Sequence, residues 1–196
     1  MHMAAQQGHV GVVRVLLRAA ANPNVVATDG RGSSPLNLAS GNGHLAVVQA
    51  LIEVGANVNY SSFDGATSLS LAAQFGYVEV VRALLAAGAN VNHSDTRGAT
   101  SLMLASQNGH IEVVRALLAA GANVNHANTE GVNSLILAAM DGHIEVVRAL
   151  LAANADPRIV THKGITALFC AKAKNHSAIA ALLEARLAEL AAAGSA

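Results

Sequence analysis

The chain has 196 residues, with 12 basic and 12 acidic side chains, a hydrophobic fraction of 53% and an aromatic fraction of only 3%. So high an apolar fraction argues against intrinsic disorder, and the balance of charge argues against a basic face that binds nucleic acid. A single cysteine, Cys170, excludes a disulfide framework and fits a reducing compartment.

Neither a membrane span nor a secretory signal is visible in the sequence. The longest stretch without a formal charge, residues 32–52, is interrupted by polar side chains and by two glycines, whereas a spanning helix needs about 20 predominantly apolar residues. The first four residues lack a basic flank followed by an apolar core. We therefore expect a soluble cytoplasmic protein with no membrane contact.

A repeat of 33 residues organises the chain. Gly65, Gly98, Gly131 and Gly164 recur at this step, and residues 79–92 are identical to residues 112–125. Such a period is the signature of stacked repeats, in which each unit buries its apolar face against its neighbours.

Residues 1–24 form only part of a repeat, because residues 1–5 match only the end of a first helix. The step from Gly8 to Gly43 is 35 residues, so two extra residues fall in the loop at 25–33. We expect this incomplete end to leave apolar side chains partly uncovered and to permit weak self-association of an otherwise monomeric protein. The side chains concerned are Met3, Val12, Val13 and Leu16.

Each following repeat is predicted to begin with a short helix. A Ser, Thr or Asn occupies the N-cap position, and Pro35 follows the first of these at the first helical position. The helix is predicted to stop at a glycine or, in the last repeat, at Asn175, since Asn tolerates the left-handed conformation better than other non-glycine residues. The N-cap residues are Ser34, Thr67, Thr100, Asn133 and Thr166.

A second helix is predicted from an apolar stripe such as Val80, Val81, Leu84 and Leu85. Repeated Glu–Arg pairs three residues apart are predicted to form exposed ion pairs on this helix. A polar connector then leads to the next N-cap, and residues 177–192 predict a weakly polar capping helix after the last repeat. The second helices are predicted to end at Gly55, Gly88, Gly121 and Asn154.

These units resemble the ankyrin repeat. The residues that carry the resemblance are Ser34-Pro35-Leu36-Asn37-Leu38-Ala39 and 166–171, Gly109-His110-Ile111-Glu112-Val113-Val114, and Gly-Ala-Asn-Val-Asn at 55–59, 88–92 and 121–125. The resemblance implies an all-α ankyrin-repeat solenoid of stacked helix-turn-helix units with β-hairpin loops, in a single domain over residues 1–196. The implied repeats are 25–59, 60–92, 93–125 and 126–158, between a partial repeat at 1–24 and a last repeat with its capping helix at 159–196.

The sequence departs from this family at the signature His. Positions 37, 70, 103, 136 and 169 carry Asn, Ser, Met, Ile and Phe, so the hydrogen bonds that this His implies toward the neighbouring hairpin must be weakened or replaced. The apolar column Met103, Ile136 and Phe169 has two interpretations. It packs half-buried between the repeats, which we favour, or it extends an apolar line along the surface.

No metal site, cofactor site or catalytic constellation is predicted. His93 and His126 could hold a metal between adjacent hairpins, but two ligands on exposed loops make a weak site, and solvated loop histidines are the preferred interpretation. Cys170 is interpreted as a small core residue. Five further histidines recur just after the inter-helix turn, which indicates a structural role: His9, His44, His110, His143 and His176.

The candidate partner-binding residues are those that vary between repeats, because core positions must keep the same letters. The resemblance places partner contacts at the hairpin tips and at the exposed end of the first helix, which line the concave groove of such stacks. Four of the five aromatic residues lie between residues 60 and 77, and Phe63 and Phe75 are predicted to be exposed. The candidates are Tyr60, Phe63, Asp64, Phe75, Thr96, Arg97, Asn108, Glu130, Met140, Asp141, His162 and Lys163.

The resemblance thus implies a non-enzymatic module that binds a partner protein or peptide in that groove. An engineered or structural scaffold without a natural partner stays open as an alternative, because neighbouring repeats share a run of 14 identical residues. Self-association through the N-terminal end is a third possibility.

Overall fold

The computed structural model describes residues 1–28 and 30–193, which form twelve helices and no named strand. The chain divides into two compact units, Met1–Thr96 and Arg97–Ala196. Both units are built in the same way from pairs of antiparallel helices, so each is described by itself.

In the first unit, the first helices of successive pairs pack against each other and so do the second helices. Each first helix also packs against its own second helix. The helices are α1 (His2–Gln6), α2 (Val10–Arg18), α3 (Pro35–Gly41), α4 (Leu45–Glu53), α5 (Ser68–Gln74) and α6 (Val78–Ala86).

The second unit repeats this packing and ends in a longer helix that covers α10 and α11. Of the residues expected in a capping helix, Ile179, Ala180 and Leu183 are buried, and Glu184 forms an ion pair with Lys172 of α11 at 2.6 Å. The helices are α7 (Ser101–Gln107), α8 (Ile111–Ala119), α9 (Ser134–Asp141), α10 (Ile144–Ala152), α11 (Ala167–Ala173) and α12 (Ser177–Ala193).

All five predicted N-caps are confirmed. In each, the side-chain oxygen accepts a hydrogen bond from the backbone N–H three residues on, which satisfies one of the free donors at the start of the helix. Two caps are reciprocal, because the side chains of Asn37 and Ser70 accept from the backbone N–H groups of Ser34 and Thr67. The predicted stops are confirmed as well: Asn154 and Asn175 adopt φ angles of 63° and 60°, in the left-handed region.

The connectors between pairs are tight turns closed by single antiparallel bridges, as at Ser61–Thr67 and Ala127–Asn133. Backbone hydrogen bonds join successive hairpin tips inside each unit. Thr96 N donates to Asp64 O at 3.1 Å in the first unit, and Thr129 N donates to Arg97 O at 3.1 Å in the second. These bonds fix the spacing of the tips on which the variable residues lie.

The core explains why Ala and Leu dominate the composition. Buried Ala in the first helices lets neighbouring helices approach closely, and buried Leu in the second helices fills the space between pairs. Fully buried at 0% exposure are Ala39, Ala72, Ala105, Ala138 and Ala171, together with Leu51, Leu84, Leu117, Leu150 and Leu183.

The N-cap Asn133 departs from its counterparts in a way that predicts a stabilising change. Its Oδ1 accepts from Ile136 N at 2.9 Å, but its buried Nδ2 has no hydrogen-bond partner among the described residues. Asn133→Thr would keep the cap and remove the orphan donor, whose burial costs about 1 kcal/mol or more. We expect urea unfolding to show a gain of about 1 kcal/mol.

Asn133→Ala is the matched control, because it removes the orphan donor and the cap together. We expect it to lower the free energy of unfolding relative to Asn133→Thr by about 1 kcal/mol, the typical contribution of a cap. A loss of stability in Asn133→Thr would show that the amide is satisfied in solution.

Candidate protein-binding surface

Three side chains at equivalent positions each tie their hairpin to the one before it. Tyr60 Oη donates to Gly32 O at 2.7 Å and His93 Nε2 donates to Gly65 O at 3.0 Å, both in the first unit. In the second unit, His126 Nε2 donates to Gly98 O at 2.9 Å. The interpretation of His93 and His126 as solvated loop histidines is therefore wrong: they are half-buried and supply inter-hairpin hydrogen bonds, the kind that the missing signature His would have made.

A second set of histidines, each directly before the second helix of its pair, bonds to the first helix of the preceding pair. His44 Nε2 donates to Gln6 O at 2.9 Å, His143 Nε2 to Gln107 O at 2.8 Å and His176 Nε2 to Met140 O at 3.2 Å. The predicted structural role is thus confirmed for these three. Among the residues that the structure describes, no group of three or more His, Cys, Asp or Glu side chains could hold a metal ion.

The aromatic residues of the first unit gather at its hairpin tip and first-helix end. Phe63 is 70% exposed and Phe75 is 52% exposed, which confirms the prediction for both. The Phe75 and Tyr77 rings lie with their centroids 6.3 Å apart. The Phe63 ring lies against Gly32, so close that a side chain at Gly32 would overlap it. Tyr60 is half-buried, and its hydroxyl is occupied by the hairpin bond.

Asp64 and Thr96, also predicted to contact a partner, hold the hairpin tips of the first unit. The Asp64 carboxylate accepts from Ser62 Oγ at 2.5 Å and from Ala66 N at 3.2 Å, and the Ser62 bond is the main reason that the pKa of this carboxyl lies below its ordinary value. Thr96 Oγ1 donates to Asp64 O at 3.0 Å. Both residues stay exposed, so these bonds hold them in place at the surface.

An apolar groove of about 420 Å³ lies in the second unit, along the first helices and beneath the tips. It contains three of the predicted residues, Arg97, Glu130 and Met140. Apolar side chains make its floor, and two of them, Met103 and Ile136, are only 2% and 3% exposed. Further lining residues are Val132, Leu137, Ile165 and Cys170.

A second cavity, of about 430 Å³, lies between the two last hairpins of this unit and is lined by Glu130, His162 and Lys163. Asn108 and Asp141 are exposed and stand outside the residues that line these two cavities. The structure therefore brings together five of the seven predicted residues of the second unit, with Glu130 shared between the cavities.

The three apolar residues of the column at positions 103, 136 and 169 differ in their exposure to solvent. Met103 and Ile136 are buried, as the packing interpretation requires, but Phe169 is 59% exposed, so packing is wrong for Phe169. The reason is its place on α11, the last of the first helices: Met103 and Ile136 lie on helices that a following first helix covers. Cys170 is buried and lines the groove, and desolvation raises the pKa of its thiol, which keeps it protonated.

At the N-terminal end of the first unit, Met3 is 70% and Val12 is 51% exposed, and Leu16 is half-buried, as expected. Val13 is fully buried at 0%, so the expectation for it was wrong. Val13 corresponds to Val48 of the next pair, on the stripe by which a second helix packs inside its own unit. Its burial therefore does not depend on a preceding repeat.

No helix in the described part of the chain is long and apolar enough to cross a membrane.

Helix pairs stacked on one another, with hairpin tips tied by backbone bonds, define an all-α repeat protein of the solenoid class. The family model for ankyrin repeats matches three times, over residues 1–95, 69–161 and 102–192. The chain belongs to the ankyrin repeat family. Domains of this family are typically protein–protein interaction modules and are generally non-catalytic. A comparison with curated proteins finds no match.

Proposed function

We propose that this protein is a non-enzymatic interaction module that binds a partner protein or peptide through its hairpin tips and first-helix ends. The observation that carries the proposal is the exposure of Phe63 and Phe75 at the tip and first-helix end of the first unit. Aromatic residues are enriched among the side chains that dominate binding energy, because each buries a large apolar area with few rotatable bonds.

The second helices offer a contrast that supports the choice of surface. Their outer faces carry the predicted Glu–Arg ion pairs, with N–O distances of 2.8 Å for Arg82–Glu79 and Arg115–Glu112 and 3.6 Å for Arg148–Glu145. The side chains are more than half exposed, and such pairs contribute little to stability. The exposed rings of Phe63 and Phe75 lie at the hairpin tip and first-helix end, where the sequence varies between repeats.

The proposal predicts that truncating the two aromatics removes partner recovery. In affinity capture from the source cells, Phe63→Ala/Phe75→Ala is expected to lose proteins that the unchanged chain retains. Losing two aromatic anchors weakens binding by about 2 kcal/mol or more, or at least about thirtyfold. Because both rings are exposed, the melting temperature should change little.

The matched control is Glu79→Ala/Arg82→Ala, which removes an exposed pair from α6 of the same unit. It should recover the same proteins as the unchanged chain. Equal recovery with all three proteins would contradict the assignment of binding to the tips and first helices.

A further inference from the structure

Two Asn-Gly dipeptides occupy the same position in two repeats. Asn42-Gly43 lies in the first unit and Asn108-Gly109 in the second, each in the turn between the two helices of a pair. Both Asn side chains are exposed. An Asn that precedes glycine is especially prone to lose its side-chain amide spontaneously, because glycine has no Cβ to hinder attack by its backbone nitrogen.

This reaction needs only the chain itself and water. The glycine nitrogen loses its proton and bonds to the Asn Cγ, while the Cγ–Nδ2 bond breaks and the amide nitrogen leaves as ammonia. Water then opens the cyclic imide at either of its two carbonyls. The product is Asp or isoaspartate, in which the backbone runs through the former side chain. The Asn side chain and the glycine N–H must therefore both be free to move toward each other.

In the folded protein both groups are held by hydrogen bonds. Each Asn Nδ2 donates to the backbone carbonyl four residues earlier, at 2.8 Å in both turns. Each glycine N–H donates to the carbonyl three residues earlier, at 3.3 Å for Gly43 and 3.4 Å for Gly109. Deamidation therefore requires local opening of the turn, and its rate follows the population of the open form.

In the second unit a side chain of the next pair holds the turn as well. His143 Nε2 donates to Gln107 O at 2.8 Å, on the residue directly before Asn108. Its ring also covers Gly109, so closely that a Cβ there would lie 2.6 Å from His143 Nδ1. Opening this turn therefore breaks a hydrogen bond to the next pair in addition to the bonds within the turn.

The first unit has Tyr77 at the position of His143. The Tyr77 ring covers Gly43, where a Cβ would lie 2.7 Å from the Cδ1 atom of the ring. In the part of the chain that the structure describes, Tyr77 donates no hydrogen bond to Gly41 O, the counterpart of the carbonyl that His143 binds. The turn at Asn42 is thus held by fewer bonds than the turn at Asn108.

We propose that Asn42 and Asn108 are sites of spontaneous deamidation, and that the His143 bond makes Asn108 react more slowly than Asn42. A hydrogen bond of this kind shifts an opening equilibrium about fivefold, so the two rates should differ by about that factor. The inference does not depend on the proposed function.

The two products differ in their effect on the turn. Asp fits this position, because Asp141 already occupies it in the next repeat of the second unit. Isoaspartate adds a methylene group to the backbone of a turn that His110 N closes by donating to Ala105 O at 3.0 Å. Asn108 is also a candidate partner-binding residue, so either product would add a negative charge to the proposed binding surface.

The test follows both sites by mass spectrometry of proteolytic peptides while the intact chain is incubated at mildly alkaline pH, which favours loss of the glycine N–H proton. In the native protein we expect Asn42 to react about fivefold faster than Asn108. In denaturing urea the two rates should be equal, because both dipeptides are followed by His.

His143→Ala should speed the reaction at Asn108 about fivefold and leave Asn42 unchanged. The matched control is His176→Ala, which removes the equivalent bond, from Nε2 to Met140 O at 3.2 Å, at a turn that already carries Asp. This control should leave both rates as they are. Acceleration at Asn108 in both variants would indicate a general loosening of the second unit, and the decision would then rest on the first unit.

Tyr77→His provides that decision. It supplies an Nε2 donor to the Gly41 carbonyl, so we expect the reaction at Asn42 to slow about fivefold while Asn108 keeps its rate. Native rates that are equal or faster at Asn108, or no response to Tyr77→His, would overturn the inference about the bond. Two unchanged sites in the native protein, after the chain in urea has fully converted, would show that neither turn is a modification site.

Discussion

Replacing Gly65 by Ala is expected to destabilise the protein by about 3 kcal/mol, whereas Gly88→Ala should cost about 1 kcal/mol. The two glycines have nearly the same backbone conformation, with φ angles of 84° and 85°. A Cβ at either position therefore meets the same strain of the left-handed region. This shared strain accounts for the cost of about 1 kcal/mol expected for Gly88→Ala.

They differ in what a Cβ would meet. At Gly65 the added atom would lie 2.8 Å from Asp95 Cα and 2.9 Å from Thr96 N, which are backbone atoms of the next hairpin. Those atoms cannot rotate away, and moving them disturbs the Thr96 N to Asp64 O bond that joins the two tips. At Gly88 nothing lies within 4 Å.

Urea unfolding followed by circular dichroism would measure both variants. Gly88→Asn is a useful third variant, because Asn154 and Asn175 already adopt the left-handed conformation in the same chain. Asn at position 88 should therefore be tolerated better than Ala. Equal losses for Gly65→Ala and Gly88→Ala would mean that backbone strain alone fixes these glycines and that the hairpins are not closely stacked.

Leu117→Ala is expected to lower the free energy of unfolding by about 3 kcal/mol. Leu117 is fully buried on α8, which packs against α7 and α10 in the second unit. Truncation removes its apolar area and leaves a cavity that rigid, closely packed helices can fill only in part.

Leu118→Ala supplies the control, since this neighbour has the same chemistry but is only half-buried. It should cost about 1 kcal/mol, because less area is lost and water can enter the space. Similar losses at the two positions would contradict the burial that the structure gives to Leu117. The comparison is again made by urea unfolding.

Local features were predictable because each depends on a few residues adjacent in sequence. An N-cap needs only a side-chain oxygen three residues before a free backbone N–H. A Glu–Arg ion pair needs only a helix on which the two residues are three positions apart. The turn at Asn175 was recognisable because Asn replaces Gly at a repeated position. Each of these local signals is weak alone, but it recurs at the same position of several repeats, and this recurrence makes the prediction reliable.

The candidate surface was predicted less completely. The exposure of Phe63 and Phe75 follows from their places in the repeat, but the roles of Tyr60, His93 and His126 do not. Whether such a ring is solvated or donates to a carbonyl depends on the distance between consecutive hairpins. That distance is set by packing between residues about 30 positions apart.

The repeat, the caps and stops of the helices and the family could be inferred from the sequence, because apolar spacing, caps and turn residues act within one unit. Burial at one repeated position depends instead on tertiary packing. Of the three apolar residues Met103, Ile136 and Phe169, two are covered by a following helix and one is exposed. Tertiary packing also places Glu130 at both cavities, the apolar groove and the one that Lys163 lines. A repeated position fixes a residue's direction within its unit, whereas its exposure depends on which neighbour packs against it.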